Sequence, residues 1–168
     1  DGDILNCSPA LVYPLIPEHV KGASVDLHLG PEILVESPLG WAKVSIADAT
    51  VDDPLWLPPG VAVHGATQER LRLPDTLGAN IWLPSTRARE GYDHALAGWC
   101  DPGFDGVVTL EIKNHTRYQQ LRLYPGLRIA QVTFELLTSP AIRPYRGRYQ
   151  GATTVEAAKA HPGDTVPK

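Results

Sequence analysis

Two hydroxyls and two arginines lie close together in the segment Leu83-Pro-Ser-Thr-Arg-Ala-Arg-Glu-Gly91. The pattern predicts a helix of one or two turns that Ser85 caps and Gly91 ends. A helix start offers free backbone N–H groups to an anion, and the planar guanidinium groups of Arg87 and Arg89 match phosphate oxygens. The segment therefore favours a phosphate contact. The alternative is a capped surface helix whose arginines are solvated.

A second segment, residues 97–106, leads into a predicted strand that carries Glu111. Asp101 and Asp105 stand beside proline and glycine, so their carboxylates are expected to bond to the backbone of turns. Alternation places the apolar side chains on one face of that strand: Val108, Leu110 and Ile112. Glu111 belongs to the opposite face. It is either an exposed strand residue or, in a partly dry pocket that raises its proton affinity, a general base.

The third segment, Arg143-Pro-Tyr-Arg-Gly-Arg-Tyr-Gln150, alternates tyrosine with arginine. Aromatic rings can stack on a planar ligand while the arginines neutralise its negative charge, and Gly147 offers a hinge. The pattern is typical of a flap that closes over an anionic, planar molecule. The alternative is a polar, solvated tail.

The elements that must position these residues are short strands, because 15 glycines and 16 prolines fall between short apolar runs. This punctuation predicts a single all-β domain over residues 1–168, with few short helices and with a lid and mobile tail from about residue 143. A capping box at Thr153 predicts a second helix that ends near His161. The predicted strands are Ser24–Leu29, Glu32–Glu36, Ala42–Ile46, Val61–Thr67, Arg70–Leu73, Ala79–Leu83, Val107–Lys113, Gln120–Leu123 and Leu127–Leu137.

Composition excludes several classes of protein. The net charge of −4 argues against a general binder of nucleic acid or anionic membranes. No apolar run has membrane-spanning length and no signal-peptide pattern is present, so a cytoplasmic location is expected. Two cysteines, Cys7 and Cys100, are too few for a disulfide scaffold.

Known sequence motifs for zinc and for nucleotide phosphates are absent. The sequence has no His-x-Glu followed by Pro-Cys-x-x-Cys, the signature of zinc-dependent nucleobase deaminases. It also has no glycine-rich phosphate loop of the Walker or dinucleotide type. The sequence therefore lacks the motifs of the zinc-dependent deaminases and of these two phosphate-loop classes.

Taken together and in order, the motifs resemble the dCTP deaminase branch of the trimeric dUTPase superfamily, over nearly the whole chain. The matching segments are Gly22-Ala-Ser-Val-Asp-Leu-His-Leu-Gly30, Pro59-Gly60 with Ala66-Thr-Gln-Glu69 and Leu73-Pro74, Ser85-Thr-Arg-Ala-Arg-Glu-Gly91, Ala97-Gly-Trp-Cys-Asp-Pro-Gly-Phe-Asp-Gly106 with Thr109-Leu-Glu-Ile112, Tyr124-Pro-Gly-Leu-Arg-Ile-Ala-Gln131 and Tyr145 with Arg148-Tyr-Gln-Gly151. The resemblance implies a distorted dUTPase-like β-barrel (a β-clip). It also implies a homotrimer whose active sites lie between subunits.

The resemblance also implies roles for individual residues. Glu111 matches the general base, and Arg89 matches an arginine beside the site. Ser85 and the backbone carbonyl of Ala97 match the groups that hold the attacking water. Further residues match the substrate-binding positions: Thr86 for the triphosphate, Asp101 near the deoxyribose, and Tyr145, Arg148 and Tyr149 in the lid.

The implied reaction is hydrolysis of dCTP to dUTP and ammonia, with Mg²⁺ carried by the triphosphate and no metal held directly by the chain. Ala97-Gly98 resembles members that continue to dUMP and diphosphate, and dUTP or dTTP is expected as product or effector. One departure concerns the phosphate grip. Pro84 stands where the family usually has a basic residue, and Arg87 replaces an apolar one. Either Arg87 takes over the contact, or the chain is a dUTPase-like or altered-substrate hydrolase, or an inactive nucleotide-binding trimer.

Overall fold

The computed structural model describes residues 2–8, 10–94 and 97–160. Eleven strands and two short helices are present in these ranges, together with a 3-10 turn at Pro17–His19. The helices are α1 (Gly2–Asn6) and α2 (Ser85–Glu90). The strands are β1 (Val12–Tyr13), β2 (Val25–Ser37), β3 (Gly40–Ser45), β4 (Leu55–Leu57), β5 (Ala62–Arg72), β6 (Leu77–Trp82), β7 (Tyr92–His94), β8 (Trp99–Cys100), β9 (Asp105–Asn114), β10 (Leu121–Leu123) and β11 (Arg128–Leu136).

Nine of these strands form one antiparallel sheet that curls into a half-barrel, which confirms the predicted all-β fold. Its order is β7-β9-β5-β2-β11-β6-β8, with β1 paired to β5 and β3 paired to β2. Strands β4 and β10 form a separate two-stranded ribbon. The strand of Glu111, β9, thus lies between β5 and β7 near one end of the sheet.

Two pairs of predicted strands are each one longer strand in the structure. The segments predicted as Ser24–Leu29 and Glu32–Glu36 are joined in β2, and Val61–Thr67 and Arg70–Leu73 are joined in β5. A register shift interrupts the pairing at each junction, between Leu29 and Ile33 and between Ala66 and Arg70. Such irregularities bend a strand without ending it, which lets the sheet curl.

The helix predicted from Thr153 to about His161 is wrong over residues 153–160, where the chain has no helix; His161 lies outside the described residues. Tertiary contacts override the capping box. The carbonyl of Ala152 accepts a hydrogen bond from the Val107 backbone N–H, and the Glu156 N–H donates to Thr109 Oγ1 at 3.1 Å. Val155 is buried against the sheet. Burial of an apolar side chain here outweighs a local helix preference of well under 1 kcal/mol per residue.

The core lies inside the curl of the sheet. It is built from fully buried aliphatic side chains of the central strands, such as Leu27, Leu29, Leu71, Ile112 and Ile129. The first six residues of β2 are all buried, so this strand is covered on both faces. Among the described residues, no helix combines the length and hydropathy needed to cross a membrane.

Candidate active site

Strand β9 presents two chemically different faces. Its apolar residues Val108, Leu110 and Ile112 are buried in the core, as the alternation predicted. The intervening residues, including Thr109 and Glu111, are half-buried on the other face. The sheet therefore fixes the backbone of Glu111 rigidly and directs its carboxyl group away from the core.

The Glu111 face forms one wall of a pocket of about 330 Å³. This volume lies at the lower end of the range for small-ligand sites, which is about 300–1,000 Å³. Five of the residues predicted from the sequence line the pocket: Ala97, Asp101, Glu111, Tyr145 and Tyr149. Two of the three segments singled out from the sequence thus contribute to one cavity.

A smaller recess of about 10 Å³ opens beside Glu111. Its lining also includes Ala97, Gly98, His94 and Ile81, and the residues 108–110 that precede Glu111 on β9. Its volume is near the lower limit for holding one water molecule. A Cβ atom added at Gly98 would lie 2.9 Å from the Ile81 carbonyl oxygen, so glycine permits this close approach. The recess can therefore place a single small molecule between Glu111 and the Ala97 backbone.

Helix α2 carries the predicted hydroxyls and arginines on an exposed surface. Ser85, Thr86 and Arg89 are exposed, and none of them lines the Glu111 pocket. The predicted cap is wrong by one residue: Pro84, at φ −60° and ψ 140°, is the N-cap and makes no side-chain cap hydrogen bond. Ser85 is thus the first helical residue, so its hydroxyl is not used for capping. Gly91 ends the helix at φ 100°, as predicted.

Arg87 is engaged within its own chain. Its Nη1 lies 2.5 Å from Glu90 Oε2, and its guanidinium carbon is 5.7 Å from the ring centre of Tyr92. Contact with a phosphate would compete with the Glu90 ion pair. Arg148 is also occupied: it donates to the Lys159 carbonyl and lies over the Tyr149 ring.

The aspartates of the turn segment do not bond to the turn backbone as predicted. Asp101 Oδ1 accepts a hydrogen bond from Trp99 Nε1 at 2.8 Å. Asp105 Oδ1 accepts one from Arg70 Nε at 2.5 Å, which lowers the pKa of that carboxyl. Both carboxylates bond to side-chain donors instead of the turn backbone, because an indole N–H and a guanidinium are good hydrogen-bond donors to a carboxylate. Asp101 also lines the Glu111 pocket.

The tyrosine- and arginine-rich segment is tied to the body of the domain. The Tyr145 N–H donates to the Pro102 carbonyl at 2.7 Å, and its ring contacts Phe104 edge-on. Its hydroxyl accepts from the Tyr149 N–H at 3.1 Å. Tyr145 and Tyr149 thus line the pocket, as do Ala152, Glu156 and Ala158 further along the chain. The rest of the predicted tail lies outside the described residues.

Sequence reasoning missed His64, which lines the same pocket. In the β5–β9 pairing it stands directly opposite Glu111. The signal for it was the strand register, since residues that face each other across an antiparallel pair point to the same side. That register depends on the bulge between Ala66 and Arg70, which alternation alone does not locate.

Cys100 also lines the pocket, but its thiol is expected to be unreactive. Burial, with a further contribution from Asp101, raises the pKa of the Cys100 thiol to about 12. Because the thiolate is the reactive form, alkylation by iodoacetamide at pH 8 is expected to be about 10³-fold slower in the folded chain than in the unfolded one. Peptide mass spectrometry of timed samples measures the rate, with half-buried Cys7 as an internal comparison. Equal Cys100 rates in the folded and unfolded chains would contradict the burial argument.

His94 gives the fold a pH dependence. Burial lowers the pKa of His94, opposed by the charge of Asp93 and a hydrogen bond to the Ile129 backbone. The unfolded chain takes up this proton below about pH 6.5 while the folded chain resists it. The contribution of neutral His94 to the free energy of unfolding is therefore fully present above that pH and decreases as the pH falls below it. We expect the melting temperature to drop between pH 7.5 and 5.5, and to drop less in His94→Gln; equal drops would exclude the effect.

Comparisons with known proteins agree with this architecture. Residues 6–137 match the family model described as dCTP deaminase-like. A protein of Persephonella marina named "dCTP deaminase, dUMP-forming" is 33% identical and covers 94% of this chain and 92% of its own length. One of Pyrococcus furiosus named "dCTP deaminase" is 34% identical, with 89% and 90% covered.

Solved structures support the fold. The 2'-deoxycytidine 5'-triphosphate deaminase of Agrobacterium tumefaciens superposes with a TM-score of 0.61 at 19% identity, over 75% of this chain and 43% of its own. A dUTPase from phage phi11 of S. aureus, described with a structural Mg(II) ion, gives 0.52 at 13% identity, over 81% and 90%. The family match spans well over half of the chain, and the curated relatives cover nearly all of it. This chain therefore belongs to the dCTP deaminase-like family.

Proposed function

We propose that this protein deaminates dCTP hydrolytically to dUTP and ammonia, without zinc, and continues to dUMP and diphosphate. The observation that carries the proposal is the position of Glu111, whose carboxyl group borders both a ligand-sized pocket and a recess near the size of one water. The names of the relatives support dCTP as the substrate. The dUMP-forming names, together with Ala97-Gly98 in this chain, support the second step.

In the proposed mechanism Glu111 acts as general base. It takes a proton from a water held by the Ala97 carbonyl and the Ser85 hydroxyl, and the water oxygen bonds to C4 of cytosine. Glu111 then returns the proton to the amino group, the C4–N bond breaks and ammonia leaves. The remaining proton of the former water passes from the C4 hydroxyl to N3, which gives the carbonyl and the N3–H of uracil. General acid–base catalysis of this kind contributes about 10²–10⁴-fold to the rate.

The mechanism needs Ser85 beside Glu111, yet helix α2 does not line the pocket of its own chain. We infer that a second copy supplies Ser85, Thr86 and Arg89, in a homotrimer with sites between subunits. Their exposure supports this, because groups that serve a neighbouring subunit are exposed in the isolated chain. An oligomer of closed symmetry would repeat the same arrangement at each interface.

The triphosphate brings more negative charge than this pocket can offset, since its lining includes the acidic residues Asp101, Glu111 and Glu156. The described residues contain no cluster of three or more His, Cys, Asp or Glu side chains that could hold a metal. Mg²⁺ would accompany the phosphates of the substrate, where it would neutralise part of their charge. Arg89 and Thr86 would bind the remaining phosphate oxygens.

Incubation with Mg²⁺ and dCTP, then with Mg²⁺ and dUTP, tests the proposal by chromatography of all products. We expect dUMP and diphosphate from both substrates and ammonia from dCTP only. If dCTP gave dUTP alone, the second step would be withdrawn. If neither nucleotide gave a product, the deaminase assignment itself would fail.

An inactive nucleotide-binding trimer is the second candidate, and the Arg87–Glu90 ion pair favours it because it occupies a guanidinium expected at the phosphates. This candidate predicts binding without turnover. A ligand that binds only the folded state raises the melting temperature. A rise with dCTP or dTTP and no product would support the inactive trimer, and robust turnover would exclude it.

A further inference from the structure

His64 and Glu111 are directly paired across strands β5 and β9. Side chains at such positions point to the same face, with Cβ atoms about 4.5–5.5 Å apart. Both residues line the same pocket. An imidazole and a carboxyl group therefore share one wall of the cavity. A turn of the Glu111 side chain, with the imidazole left in place, would bring the two groups into hydrogen-bond contact.

The imidazole of His64 is held in place by Trp41. The two rings stack with their centres 3.9 Å apart and their planes 28° from parallel. Nδ1 of His64 is buried and has no hydrogen-bond partner among the described residues. Buried polar atoms are nearly always bonded in native proteins, so an unpaired one of fixed orientation calls for a functional explanation.

The carboxylates of the pocket differ in whether they are already paired. Asp101 accepts from Trp99, and Glu156 forms an ion pair of 2.9 Å with Lys159. Glu111 has no hydrogen-bond or ion-pair partner within residues 2–8, 10–94 and 97–160. The unpaired Nδ1 of His64, as an N–H donor, would complement the unpaired carboxylate of Glu111.

We propose that His64 is a positioning residue for Glu111. Its Nδ1–H donates to one carboxylate oxygen and leaves the other oxygen free for the water in the recess. The inference rests on the proposed function of Glu111 as general base. Because the pair lies on two bonded strands and the Trp41 ring holds the imidazole, only the Glu111 side chain has to turn for this hydrogen bond to form and align its carboxyl group. Alignment of this kind affects the chemical step more than substrate binding.

The first test compares His64→Leu with His64→Asn. Leucine removes the donor, whereas the asparagine amide can place an N–H near the position of Nδ1. We expect kcat for ammonia release from dCTP to fall about 10-fold or more in His64→Leu with KM changed less than about twofold, and to recover largely in His64→Asn. An unchanged kcat in His64→Leu, or equal losses in both variants, would overturn the role.

The second test needs no substrate and separates this inference from the deaminase proposal. The ¹⁵N resonance of His64 Nδ1, assigned by its loss in His64→Asn, is followed in the intact protein at constant pH. We expect it to move in Glu111→Gln and to stay in place in Glu156→Gln, the matched change within the same pocket. A resonance insensitive to Glu111→Gln would overturn the inference even in an active enzyme. If the protein did not deaminate dCTP but the resonance moved in Glu111→Gln, the His64–Glu111 hydrogen bond would stand. Only the proposed reaction would then be wrong.

Discussion

Replacing Glu111 by glutamine is expected to lower kcat for ammonia release from dCTP by about 10²–10⁴-fold, because the amide cannot accept the proton of the attacking water. The substitution keeps the size of the side chain and lies on the half-buried face of β9, so folding should be preserved. Nucleotide binding should change little, since Glu111 acts on the water rather than on the phosphates. Ammonia release measured under saturating dCTP, together with KM, gives the result.

The matched control is Glu36→Gln, which makes the same chemical change at an exposed position of β2 outside the pocket. It should retain the wild-type rate. A Glu111→Gln protein with undiminished ammonia release would remove Glu111 from the mechanism. The variant also separates the two enzymatic hypotheses, because cleavage of dUTP does not require a base that acts on C4. A wild-type chain that cleaves dUTP but never releases ammonia from dCTP would be a dUTPase-like hydrolase.

The strand of Glu111 shows what the sequence could predict. Alternation over residues 107–113 placed three aliphatic side chains in the core and Glu111 on the opposite face, and the structure agrees. Alternation works here because β9 is long and only one of its faces is packed against the core. Four other residues that the motifs singled out line the same pocket as Glu111 in the structure: Ala97, Asp101, Tyr145 and Tyr149.

What the sequence could not predict depends on contacts between distant segments. The Thr153 capping box is a local signal, and it lost to the burial of Val155 and to hydrogen bonds with β9. Strands of two or three residues, such as β7 and β8, are too short to show a period at all. The position of His64 opposite Glu111 could not be predicted for a related reason. It depends on the register between β5 and β9, and a bulge in β5 changes that register along the pair.

The separation of α2 from the Glu111 pocket leads to an expectation about mixed assemblies. Ser85→Ala should be nearly inactive, because the water loses one of its proposed anchors, and Glu111→Gln should be inactive for lack of a base. We propose that each site takes Glu111 from one subunit and Ser85 from its neighbour. In a mixed assembly, a site is then intact where a Ser85→Ala chain, which still has Glu111, meets a Glu111→Gln chain, which still has Ser85. In every trimer that contains both variants, about one third of the sites are then intact.

Co-expression of the two variants with different affinity tags, followed by tandem purification, yields the mixed assemblies. Their ammonia release should rise from the background of either parent to a substantial fraction of the wild-type rate. Glu111→Gln chains carrying both tags provide the control, which stays at background because no intact base is present in any combination. Mixed assemblies as inactive as their parents would mean that Ser85 and Glu111 act within one chain. In that case helix α2 would have to move toward its own pocket, and the exposure of Ser85, Thr86 and Arg89 would need another explanation.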